Sequence, residues 1–173
     1  MQKNNKLFAI VGIALIVLVF GLLVIPQFMY FKGYTYNGYE AIFVATGNPM
    51  KDYIKKNADE AHASAALIIA LILMVFSGVS LLFQKKSSLL ALFGGLFLAI
   101  AGILFLLTPL WFLVIFNSGR AIEAKWLPYV VGGLMLAYGA FLTFLAIMRL
   151  RDEKNILSSP KSHQYSYLKG TLK

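Results

Sequence analysis

Residues 89–116 read LLALFGGLFLAIAGILFLLTPLWFLVIF, with no Asp, Glu, Lys, Arg or His among them. The hydrocarbon core of a bilayer is about 30 Å thick and takes about 20 apolar residues of helix to cross. A straight helix over 89–116 would be ~42 Å long at about 1.5 Å per residue. It must therefore tilt, project beyond the membrane, or bend. Thr108-Pro109 is where a bend belongs, because proline removes a backbone donor and crowds the preceding turn. The Thr108 hydroxyl is placed to satisfy a carbonyl freed there. Thr108 and Pro109 are thus expected to form a kink in a packing helix or, on a sharper reading, a hinge.

Three other stretches are apolar through their central turns: about 7–31, 58–83 and 127–148. The first has no charged residue from Leu7 to Ile25, and Lys3 and Lys6 precede it. That pattern resembles a signal peptide, but the run is longer than an apolar core of roughly 7–15 residues. Ile25-Pro26-Gln27-Phe28 is also a poor cleavage site, so a retained helix is expected. The second opens on Asn57 and Glu60, an N-cap and its capping partner, with Asp59 and Glu60 at the positive end of the helix dipole. The fold expected is all-α: a four-helix transmembrane bundle over residues 1–150, an extracellular loop over 32–57, and a basic cytoplasmic tail over 151–173.

Composition agrees. Of 173 residues, 60% are hydrophobic and 13% charged, against about 45–50% and about 25% in a soluble domain. The formal net charge is +9. It flanks membrane spans, so topology accounts for it better than nucleic acid, which is not expected as a partner. One side of the threading carries Lys3, Lys6, Lys85, Lys86, Arg149, Arg151, Lys154, Lys161, Lys169 and Lys173. The other carries Lys32, Lys51, Lys55, Lys56, Arg120 and Lys125. The positive-inside rule then puts both termini in the cytoplasm of a multi-pass plasma-membrane protein. The tight loop from Gln84 to Ser88 and the stop at Arg149-Leu150-Arg151 are its clearest signals. Tyr30, Tyr34, Trp111, Trp126 and Tyr129 fall where an outer aromatic belt belongs. The chain has no cysteine, which excludes disulfides, thiolate metal sites and thiol catalysis. It also has no Asn-x-Ser/Thr acceptor, and the two absences together favour a bacterial source.

In the outer loop, Tyr34-Thr-Tyr36 meets Asn37-Gly38 and then Tyr39-Glu-Ala-Ile-Phe-Val44. Asn-Gly between such residues is a hairpin signal. A β-hairpin turning at Asn37-Gly38 is expected, followed by a short helix from Asn48-Pro49 with Met50, Tyr53 and Ile54 on one stripe. Tyr34, Tyr36, Tyr39, Phe43 and Tyr53 are the expected partner-contact residues, in a loop that also reads as a simple lid. The whole layout resembles the claudin-like four-span superfamily, which has cytoplasmic ends, a β-containing first outside loop, a short inner turn and a smaller second outside loop. The claudin signature of a Trp, a Gly-Leu-Trp and two cysteines is absent between Lys32 and Asn57, so no claudin residue roles and no junction-forming function carry over.

Ionisable residues inside a bilayer are costly and mark function. The central turns of all four stretches lack them, including the embedded Glu in helix one on which small four-span multidrug carriers depend. His62 and Asp59 share a helix face but lack further ligands, so no metal and no cofactor is expected. Ser77 and Gly78, then Gly95, Ala99 and Gly102, then Gly133, Ala137 and Ala140 read as helix-packing seams. No nucleophile elbow, P-loop or zinc-helix motif occurs. The tail lacks hydrophobic periodicity and is expected to be flexible. The function expected is non-catalytic: a scaffold, accessory subunit or interaction partner, in contact with membrane lipids and with other subunits or a homo-oligomer. An oligomeric pore or transporter subunit is the alternative, with a lipid-acting enzyme third.

Overall fold

The computed structural model describes residues 2–31, 33–43, 60–85, 87–110 and 122–157. Helix α1 runs from Gln2 to Leu22. Strands β1 (Met29–Phe31) and β2 (Tyr34–Tyr36) follow, then a short helix α2, Gly38–Phe43. Helix α3 is Glu60–Leu82 and α4 is Ser88–Leu106. Strand β3 is Ile122–Ala124, and α5 is Leu127–Leu157. The protein is mostly helical, and α3, α4 and α5 are each long and apolar enough to cross a membrane. The apolar part of α1, Lys6–Leu22, is shorter.

The first helix ends well before Phe31. Hydrophobicity alone does not stop at Leu22, but the backbone does. Val24 and Ile25 donate to Gly21 and Leu22 in tightened turns, and Gln27 N donates to Ile25 O at 2.8 Å around Pro26. The apolar residues beyond Pro26 enter a sheet instead of a helix. That sheet is antiparallel with the order β2-β1-β3. Met29, Tyr30 and Phe31 pair with Tyr36, Thr35 and Tyr34 on one side, and with Ala124, Glu123 and Ile122 on the other. The segment after α1 and the segment before α5 thus contribute to one small sheet.

The expected hairpin at Asn37-Gly38 is a second correction. The β1–β2 turn is made at Gly33, the residue before β2, whose φ of +88° favours glycine. Asn37 instead caps α2. Its Oδ1 accepts from Glu40 N at 2.8 Å, and Glu40 Oε2 accepts from Asn37 N at 3.0 Å, a reciprocal capping box. Gly38 packs closely under Leu23: a Cβ there would sit 2.5 Å from Leu23 Cδ2, so that side chain would have to shift, and Gly38 N donates to Leu23 O at 2.7 Å. Asn37→Ala is expected to cost about 1 kcal/mol, readable as faster amide exchange confined to α2.

Helix α4 ends at Leu106 with Leu107 as its C-cap, and residues 108–110 are helical again. The break therefore falls where Thr108-Pro109 put it. Thr108 is fully buried, but its Oγ1 has no hydrogen-bond partner among the described residues. It does not rescue a carbonyl as the sequence suggested. At the other end, α5 continues through Arg149 to Leu157, so the start of the expected flexible tail is helix. Nothing between Met148 and Leu157 breaks it: Gly and Pro are absent there, and Arg149 and Glu153 form an i,i+4 pair.

Helices α4 and α5 make the closest pair, α3 packs beside α4, and α1 lies more loosely against α3 and α5. Lipid offers no hydrophobic force between helices, so close backbone approach and hydrogen bonds must hold them. Two such bonds reach α1. Tyr138 OH donates to Phe8 O at 2.7 Å, and Tyr39 OH donates to Phe20 O at 2.8 Å. A third joins α3 to α4, where buried Ser77 Oγ donates to Gly94 O at 2.7 Å. Ser77→Ala should lower stability by roughly 0.6–1.7 kcal/mol, measured as a shifted unfolding midpoint in mixed micelles.

Candidate functional site

The sheet rests on the end of the bundle where α1 stops and α5 starts. Met29 and Phe31 are buried, as is Tyr36 opposite Met29. Phe28 is buried beneath them and meets Phe105 of α4 edge-on, with centroids 6.1 Å apart. Phe28 N donates to Tyr36 O at 3.0 Å, Lys125 N to Phe28 O at 3.0 Å, and Leu127 N to Gln27 O at 3.3 Å. Those bonds tie the start of α5 to the segment that leaves α1. The cap and the helices are one packed unit.

Register decides what the other face offers. Thr35, Tyr30 and Glu123 are opposed across the three strands, so their side chains share the face opposite Met29. Thr35 and Glu123 are exposed and Tyr30 half-buried. Lys125 places its ammonium 4.7 Å from the Tyr30 ring centroid, within reach of a cation–π attraction. The result is a short row with a hydroxyl, a phenol, a carboxylate and an ammonium. Such a row can make directional hydrogen bonds to a partner. It contains no paired carboxylates, and among the described residues no three His, Asp or Glu side chains gather.

The expected contact residues separate by position. Tyr34 and Phe43 are presented outward. Tyr36 is 5% exposed, and Tyr39 is half-buried with its hydroxyl on Phe20; both serve the fold. Tyr53 lies outside the described residues, as do the helix expected from Asn48-Pro49, the side chain of His62, and Trp111. Sequence reasoning missed the row of Thr35, Tyr30 and Glu123. The pairing of residue 30 with residue 123 is long-range, and a three-residue strand carries too little alternation to announce itself.

The seams lie deeper. A Cβ on Gly95 would fall 2.6 Å from Thr143 N, and one on Gly102 would fall 2.7 Å from Gly132 O. Ala99 faces Gly139, where an added Cβ would meet Ala99 Cα and Gly95 O, each at 2.8 Å. On α5 the contacting residues are thus Gly132 and Gly139. Gly133 has nothing within 4 Å, and Ala137 and Ala140 are exposed. The expected α5 seam is one residue out of phase, which on a helix turns it through about 100°. Ser77 faces α4, whereas Gly78 faces Ile16 of α1 at an ordinary 3.7 Å. No family model matches the chain, and no curated protein shows significant similarity to it.

Proposed function

We propose that the chain is a four-span integral protein of the plasma membrane, with both termini cytoplasmic, that acts without catalysis as an accessory subunit or scaffold. On this reading α1 is the fourth span. The lysines in its first turns, its uncharged run from Leu7 to Leu22 and the two tyrosine hydroxyl bonds it accepts support that. The observation that carries the functional reading is the outward row of Thr35, Tyr30, Glu123 and Lys125, a rigid polar surface on a cap stitched from both outer loops. Beneath it the α4–α5 seam is closed by backbone contact, which favours packing over conduction. The layout is similar to that of the claudin-like superfamily, and the β-containing cap is in keeping with that likeness.

The test is native mass after gentle solubilisation from the source membrane. A stoichiometric complex is expected, lost when Thr35 and Glu123 are replaced by Ala while the protein stays folded. A partnerless monomer would count against the proposal. Solute or ion flux in liposomes that requires this protein would favour the oligomeric pore in its place.

A further inference from the structure

Helix α5 has 31 residues, which makes it ~46 Å long at about 1.5 Å per residue. It outlasts a hydrocarbon core of about 30 Å. Two adjacent stripes run along it and end differently. The first passes through Gly139, Thr143 and Ala146 and reaches Glu153. Gly139 packs on α4, and Ser88, at the start of α4, donates its hydroxyl to Glu153. Of the two acids at this end, Glu153 is therefore engaged by α4. Arg149 precedes Glu153 by one turn, so its positive charge lies on that side too.

The second stripe is Ala140, Phe144, Ile147, Arg151 and Lys154, in alternating steps of four and three. Phe144 is 61% exposed and Ile147 52% exposed, and Arg151 and Lys154 are both exposed. Two cations thus stand directly beyond an uncovered apolar stripe, at the depth where the helix leaves the hydrocarbon. Asp152 is exposed on the flank, one turn past Met148. The segregation is what a phospholipid needs: acyl chain along Phe144 and Ile147, phosphate at Arg151 and Lys154. A phosphate is met by two donors and no carboxylate on that stripe. We infer that the lipid-facing side of the inner end of α5 is a binding site for an anionic phospholipid. The inference rests on α5 crossing the bilayer.

The test uses the full chain with Trp111→Phe and Trp126→Phe to remove native tryptophan fluorescence, and Phe144→Trp as a local reporter. It is reconstituted in vesicles containing brominated phosphatidylglycerol or brominated phosphatidylcholine. Each nearby cation contributes about 1 kcal/mol toward an anionic lipid, which is about fivefold in relative binding. At least a fivefold preference for phosphatidylglycerol is expected, weakening with salt. Arg151→Gln with Lys154→Gln should bring it near parity, whereas Lys161→Gln with Lys169→Gln, the same charge change in the tail, should preserve it. Quenching by both lipids equally would overturn the site while leaving the span intact. A preference that survives in the Arg151/Lys154 variant, or falls equally in the tail variant, would also overturn it. Quenching by neither lipid would remove the span and the site together.

Discussion

Gly139→Leu is expected to lower stability by about 3 kcal/mol or to prevent folding, at the upper end of what overpacking costs. The reason is geometric. At Gly139 a single added carbon already meets Ala99 Cα and Gly95 O at 2.8 Å. Backbone atoms of α4 cannot rotate aside as a side chain tip can, so the helices must separate along their length. Separation also loses the contacts of Gly102 with Gly132 and of Gly95 with Thr143. In lipid no hydrophobic term compensates for lost packing. Gly133→Leu is the control: it lies on the same helix, six residues earlier, with open space around it, and the change should stay within about 0.5 kcal/mol. Unfolding midpoints in mixed micelles read both. Equal losses at the two glycines would mean that α5 does not present Gly139 to α4.

Phe28→Ala should cost ~3–4 kcal/mol, in the range of buried aromatic truncations. Phe28 is fully buried against Phe105, and its backbone bonds to Tyr36 and Lys125 bring β2 and the lead into α5 together. Removing the ring leaves a void where the sheet sits on the helices. The loss should be local as well as large. Hydrogen exchange should quicken in residues 28–36 and 122–127 and leave α3 and α4 protected. Tyr34→Ala, at an exposed position of the same sheet, should change little. A uniform increase in exchange after Phe28→Ala would indicate that the cap has no separate anchorage.

The helices were largely legible in the sequence, and the reasons for the exceptions are physical. Span two and span four are apolar runs bounded by charge, so composition marks them. The break at Leu107 follows from Pro109, whose missing donor is a covalent fact. The end of α1 was not legible, because Leu23, Val24, Phe28 and Phe31 are as apolar as the helix before them. Only the pairing of β1 with β2 and β3 tells strand from span there. Asn37-Gly38 carries two meanings, a tight turn or a cap with a close approach, and Leu23 over Gly38 decides for the second. The α5 seam was ambiguous for a simpler reason: Gly132 and Gly133 are adjacent, and only contact with Gly102 shows which one faces protein. For the row of Thr35, Tyr30 and Glu123, part of the signal resides in a strand 93 residues further along the chain.

The central claim is that α1 crosses the membrane, so that the capped end and the N-terminus lie on opposite sides. The chain contains no cysteine, which makes single-cysteine labelling direct. Lys6→Cys, Thr35→Cys and Lys85→Cys each place a thiol at an exposed residue. In intact cells a membrane-impermeant maleimide should label only the Thr35→Cys variant, and the other two should react after permeabilisation. Labelling of Lys6→Cys and Thr35→Cys from the same side would contradict the account, because α1 would then not cross the membrane.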